Sequence, residues 1–219
     1  MDYIYKNLEQ LKKRIAKACE RSHRAPEDVI LVAVTKGVNT TAIRAAFNYG
    51  IREFGENRVQ EASSKINELL ELKPYITWHM VGHVQTNKAK IVTDIFDMVQ
   101  SIDSVRLATV INERAKKILP VLLQVNVSAE LTKYGVSTEE IDKTIEQIGK
   151  LPNLEQKGLM TIAPLVHNPE EVRPVFRELR KLRDRLGLEH LSMGMTDDFE
   201  VAIEEGATIV RIGRAIFQQ

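Results

Sequence analysis

Apolar runs and amphipathic stretches alternate along this chain about eight times. Ile4, Leu8, Leu11, Ile15 and Ala18 recur at three- and four-residue steps, which predicts an N-terminal helix over 2–22. The first strand is expected at Ile30-Leu-Val-Ala-Val-Thr-Lys36, a continuous apolar run of the kind seen in parallel strands covered on both faces, with Gly37 turning the chain away. Thr40 or Thr41 can cap a helix through Phe47 that Gly50 stops, and a short strand is expected over 51–55. Helical period returns over 58–72 until Pro74 breaks it, and Thr77-Trp-His-Met-Val81 reads as a third strand closed by Gly82. A short helix over 85–95, a strand over 97–100 and a helix from Ser104 to Lys117 follow. Residues 120–127 form a second strongly apolar strand, Ser137 and Glu140 have capping-box spacing for a helix to Gly149, and a sixth strand is expected over 154–159. Asn168-Pro169-Glu-Glu puts a cap, a first-turn proline and two acids at the start of a helix to Arg185, stopped by Gly187. Strands over 189–192 and 207–212 flank a helix from Thr196 to Glu205, and Gly213 opens a last helix.

Eight β/α units in this length match a closed barrel, whereas an open doubly wound sheet usually shows fewer strands and a Gly-rich first turn, which this chain lacks. The expected fold is therefore α/β, a single TIM-type (β/α)8 barrel with an extra N-terminal helix. It is expected to form one domain over 1–219, with residues 1–28 as the helix and its connection.

Composition narrows the function more than the fold. The net charge of +1, with 43% hydrophobic and 28% charged residues, carries no basic stripe or acidic tail and points away from nucleic acid toward a small-molecule ligand. Cys19 is the single cysteine, which excludes an internal disulfide and a thiolate metal cluster. The first residues have no basic and apolar leader pattern and no run is long enough to cross a bilayer, so a cytoplasmic location without membrane contact is expected. His79 and His83 are four apart, but Gly82 and a strand-to-loop setting remove the helical face that would make them a metal pair, and no metal is expected.

Candidate chemistry gathers where barrel closure places the first strand beside the eighth. Lys36 ends the first strand at the mouth where barrels of this type bind ligands, and partial desolvation there would favour a neutral amine able to form a Schiff base. The loops after strands seven and eight, Ser192-Met-Gly194-Met-Thr196 and Gly213-Arg214, offer glycines for close backbone approach and polar side chains for a phosphate. A carbonyl at Lys36 and a phosphate one or two strands away would be separated by roughly 5–10 Å. Two ligands fit, a sugar phosphate in a Schiff-base aldolase and pyridoxal phosphate. Arg211 bears on the choice, because an arginine near the end of strand eight can meet a ring nitrogen while disfavouring its protonation.

Leu31-Val-Ala-Val-Thr-Lys36, Phe54-Gly-Glu-Asn-Arg-Val-Gln-Glu61, Trp78-His-Met-Val-Gly82 with Gln85-Thr-Asn-Lys88, Gly158-Leu-Met160, Leu191-Ser-Met-Gly-Met-Thr-Asp-Asp198 and Val210-Arg-Ile-Gly213 carry a resemblance over nearly the whole length. On these segments the chain resembles the pyridoxal phosphate homeostasis protein family, similar in fold to the barrel domain of alanine racemase. The resemblance implies that Lys36 holds pyridoxal 5'-phosphate as a Schiff base, and that Ser192, Gly194, Gly213 and the Arg214 amide cradle its phosphate. It also implies that Arg211 approaches the ring nitrogen and Asn57 lines the ring pocket. It further implies a carrier in vitamin B6 homeostasis without established turnover; transient contacts with apoenzymes needing the cofactor are expected, and the absence of an extra oligomerising domain fits a monomer. A racemase-like enzyme is the alternative. Val38 stands where the family often has a second lysine, His83 where a proline is common and Arg214 where a small residue is frequent. Lys133 matches a family position sometimes discussed as a second lysine near the site.

Overall fold

The computed structural model describes residues 2–128, 130 and 134–218, and Lys133 lies outside the described residues. The eight strands β1 (Ile30–Val34), β2 (Glu53–Glu56), β3 (Thr77–Met80), β4 (Met98–Ile102), β5 (Leu119–Gln124), β6 (Leu154–Met160), β7 (His190–Ser192) and β8 (Ile209–Ile212) pair in sequence order into a closed barrel. All pairings are parallel, and β1 closes the ring against β8 with Val32 opposite Arg211 and Ala33 opposite Ile212. The expected TIM-type barrel with an N-terminal helix is the observed fold.

Among the described residues, nine α-helices wrap it: α1 (Asp2–Arg21), α2 (Thr40–Tyr49), α3 (Val59–Glu68), α4 (Ala89–Ile95), α5 (Val105–Arg114), α6 (Ile141–Ile148), α7 (Arg173–Leu186), α8 (Phe199–Glu204) and α9 (Arg214–Phe217). Helix α1 buries the predicted stripe, Ile4, Leu8, Leu11, Ile15 and Ala18, against α2, α8 and α9. Asn7 reaches the Ile216 carbonyl at 3.1 Å and Arg14 pairs with Glu200 at 3.1 Å, so the start of the chain is fastened over the β1/β8 seam. None of the described helices is long and apolar enough to cross a membrane.

Several boundaries differ from the sequence reading, each for a local reason. Strand β1 ends at Val34, and Thr35–Gly37 form a turn in which the Val38 N–H donates to the Thr35 carbonyl at 2.9 Å. Asn39, not Thr40 or Thr41, caps α2 through its carboxamide on the Ala42 N–H at 2.9 Å, while the Thr40 hydroxyl is taken by Glu68. Helix α3 stops at Glu68 and gives way to 3-10 turns over Leu70–Tyr75, where Pro74 lacks the N–H an α-helix needs. Another 3-10 turn at Thr86–Lys88 delays α4 to Ala89. Ser137 and Glu140 bond to each other at 3.2 Å in a turn ahead of α6, which begins at Ile141. Helix α8 begins only at Phe199, since the Asp198 carboxylate closes the preceding turn on the Met195 N–H at 2.6 Å and Thr196 faces α9 instead.

Strand parity divides the barrel wall in two. Phe54, Trp78, Val99, Leu191 and Val210 point outward into the main core beneath the helices. Inside the barrel, Val32, Leu122, Met160 and Ile209 form a small apolar layer. Positions 53, 79, 100, 192 and 211, of opposite parity to the outer set, also face the interior and are all polar.

Candidate functional site

The carboxyl ends of the strands surround a cavity of about 730 Å³, within the usual range for small-molecule sites. Lys36, Asn57, Arg211, Gly213 and Arg214 line it, so five of the seven expected residues share one cavity. Ser192 and Gly194 do not line it. Thr196, from the loop expected to offer polar groups to a phosphate, does, as do Asp197, Asp198 and the loop 162–167, to which the sequence assigns no part in the site.

Lys36 is exposed at this mouth, which corrects the expectation of a desolvated amine. Its backbone, however, is held from both sides. Behind it Lys65, buried on α3, donates to the Thr35 carbonyl at 2.6 Å, to Glu56 at 2.8 Å and to Glu61 at 2.6 Å. Glu61 also accepts from the Gly37 N–H at 2.7 Å, and the Thr35 hydroxyl donates to Glu56 at 2.5 Å. Burial pushes the Glu56 carboxyl up from its ordinary value, opposed by the Lys65 and Thr35 hydrogen bonds, whereas the Lys65 hydrogen bond holds Glu61 down. The other oxygen of Glu56, Oε2, has no hydrogen-bond partner among the described residues. The i, i+4 spacing of Glu61 and Lys65 was the one sign of this brace in the sequence.

Asn57 is fixed by a close backbone approach. A Cβ on Gly82 would lie 2.2 Å from the Asn57 carbonyl oxygen, so only glycine lets the chain after β3 pass there. Gly194 has a comparable role one layer out. Its φ of +92° and the 2.6 Å that would separate an added Cβ from Ala202 Cβ show that it admits α8 against the barrel wall. Its carbonyl accepts from the Arg211 N–H at 3.0 Å.

Gly213 sits against Val34 of β1, whose carbonyl would be 3.1 Å from an added Cβ. Among the described residues, the N–H groups of Gly213 and Arg214 donate to no other group. The Arg214 side chain is exposed and paired with Asp197. Arg211 is 5% exposed, and desolvation, opposed by the nearby Asp198 carboxylate, pushes its pKa down to about 10. Its Nη2 donates to the Thr161 carbonyl at 2.8 Å and its Nη1 to the Ser192 hydroxyl at 2.6 Å. The Ser192 hydroxyl is therefore turned into the barrel, where it donates to Gln100 at 2.6 Å.

An exposed amine, a buried guanidinium and undonated backbone N–H groups thus meet across one seam. The family profile described as "Alanine racemase, N-terminal domain" matches residues 6–219. The pyridoxal phosphate homeostasis protein of Aquifex aeolicus is 46% identical over 96% of this chain and 95% of its own length. The chain belongs to the pyridoxal phosphate homeostasis protein family. The family member of Escherichia coli K12 is 40% identical over 99% of this chain and 97% of its own. Among solved structures, PipY of Synechococcus elongatus PCC7942 with PLP bound superposes with a TM-score of 0.86 at 34% identity, covering 98% of this chain and 99% of that one.

Proposed function

We propose that this chain binds pyridoxal 5'-phosphate at the barrel mouth, with Lys36 linked to its aldehyde as a Schiff base, and acts inside the cell as a reserve of the vitamin B6 cofactor. One observation carries the reading: Lys36 and the Arg211–Arg214 segment, at opposite ends of the sequence, line the same cavity. The names of the Aquifex and Escherichia relatives and the PLP held by PipY support it.

The residues present fit the group. A cavity of about 730 Å³ accommodates a substituted pyridine with its phosphate. Gly213 leaves the backbone beside Val34 bare enough for close approach, and its N–H and that of Arg214 are available to phosphate oxygens. When bound, the cofactor supplies an aldehyde that condenses with an amine and a ring that delocalises charge. Lys36, exposed and without a hydrogen bond or ion pair among the described residues, supplies the amine. Asn57 lines the ring side, and Arg211 donates an N–H toward the ring nitrogen without giving up its proton. Gly194 sets the path of the 195–198 loop, and Ser192 holds Arg211. Release of the cofactor to apoenzymes then calls only for transient contact at the exposed mouth, with the carrier a monomer.

Mass spectrometry after borohydride reduction of the loaded protein tests this. The expected result is one pyridoxyl adduct on Lys36 and its loss in Lys36→Ala. Racemisation or decarboxylation of amino acids by the loaded protein would overturn the carrier reading in favour of an enzyme.

A further inference from the structure

Beyond Arg211 and Ser192 the polar interior of the barrel continues as an unbroken chain of hydrogen bonds. Ser192 Oγ donates to Gln100 Oε1 at 2.6 Å, Gln100 Nε2 meets His79 Nδ1 at 2.9 Å, and His79 Nε2 meets Glu53 Oε2 at 2.6 Å. Ser192 and Gln100 are fully buried and His79 is 2% exposed, whereas the Glu53 side chain is 30% exposed at the opposite end of the barrel. The chain therefore crosses the barrel from its far end to the cavity wall.

The direction of every bond follows from the groups themselves. A guanidinium has no acceptor, so Ser192 Oγ accepts from Arg211 and its own hydrogen must go elsewhere. Gln100 Oε1 takes that hydrogen, which leaves the Gln100 amide to donate to His79. His79 Nδ1 is then an acceptor, so the ring proton sits on Nε2 and is donated to Glu53. With the Gln100 amide turned round, Ser192 would accept from both neighbours. Its hydroxyl hydrogen would have no acceptor among its two partners, in a fully buried place where a missing bond is not replaced by water. All four bonds therefore point from the cation to the carboxylate, an arrangement in which each polarises the next.

We propose that Glu53, His79, Gln100 and Ser192 are positioning residues that hold the Arg211 guanidinium in the cavity wall and set how strongly it opposes protonation of a ring ligand. This rests on the cofactor reading above. Packing alone does not require such a chain, because the same interior layer is filled elsewhere by Val32, Leu122, Met160 and Ile209. The placement of the carboxylate is the telling feature. No carboxylate hydrogen-bonds Arg211 directly among the described residues, although Asp198 acts on it at longer range; Glu53 lies four bonds away, so the guanidinium of this cavity-lining residue is not closed off by a directly paired carboxylate.

Two measurements test the inference. In the ligand-free wild-type protein, nitrogen-15 correlation spectra should show His79 as the neutral Nε2–H tautomer at neutral pH, and an Nδ1–H tautomer or an imidazolium would overturn the relay. In protein loaded with pyridoxal 5'-phosphate, Glu53→Gln and Ser192→Ala should each move the visible-band titration to lower pH, since a less compensated guanidinium disfavours protons on the ring system. Midpoints equal to the wild type in both variants would overturn the role assigned to the chain. Glu53 is partly exposed, so its variant is expected to keep the fold even if Ser192→Ala does not. Wild-type protein that takes up no cofactor would remove the reading beneath this one, and the tautomer would then overturn or uphold the relay by itself.

Discussion

Lys65 is the residue whose loss should be felt most at the mouth, because it is the cation between Glu56, Glu61 and the Thr35 carbonyl. Lys65→Met leaves Glu56 buried without its counter-charge, and removing one partner of a buried pair costs about 3–5 kcal/mol. Denaturant midpoints should show that loss, and adding Glu56→Gln should recover part of it. Gly82→Ala acts through backbone instead. Its methyl cannot occupy a point 2.2 Å from the Asn57 carbonyl oxygen, so the chain must shift, at about 1–3 kcal/mol. The same shift moves Asn57, and cofactor titration should show weaker uptake together with the lower denaturation midpoint. Neither residue stood out in the sequence as part of a site: a lysine inside an amphipathic helix and a glycine after a strand look alike whether or not they touch it.

At the scale of elements, α7 and the end of α8 are clasped by Glu205, 4% exposed, which accepts from Arg177 at 2.9 Å and Arg173 at 3.2 Å and lies 3.3 Å from Arg180. Burial pushes its carboxyl up, but the arginines outweigh that and hold it below its ordinary value. A carboxyl depressed on folding adds stability above its unfolded pKa, near 4.3, and loses it as pH falls through the folded value. Glu205→Gln should therefore lower stability by about 1.5–3 kcal/mol at neutral pH, and melts taken at progressively lower pH should show the gap to wild type closing below about pH 4. The linear pattern ends the helix at Glu205 but does not say that Glu204 and Glu205, at that end, face Arg173 and Arg177 of α7. The helix starts were misplaced for a related reason. Asn39, Thr40 and Thr41 are all competent caps, and the choice fell to Asn39 because Glu68 engages Thr40.

For the whole molecule, a ligand gripped at Lys36 and at the Gly213 segment would tie the first strand to the last. Cofactor at a hundred times its dissociation constant should add about 2.7 kcal/mol to unfolding, if it binds the folded state alone. Thermal melts should rise with cofactor concentration in the wild type, and much less in Lys36→Ala. Deleting α1 should undo the same junction from outside, because it removes the buried Ile4, Leu8 and Leu11 and uncovers the faces of α2, α8 and α9 that α1 packs on; circular dichroism melts should show a lower midpoint.

The linear order of this chain already contained its eight strands, their parallel pairing and the lysine and glycines at the ends of β1 and β8, since apolar runs, helical period and turn residues are local signals. Parity along each strand also implied which side chains share a face. Which inward residues touch was settled only by tilt, register and closure of the barrel. Those bring Glu53, His79, Gln100, Ser192 and Arg211 within hydrogen-bond reach across separations of up to 92 residues, and turn the Ser192 hydroxyl toward Arg211 and away from the mouth.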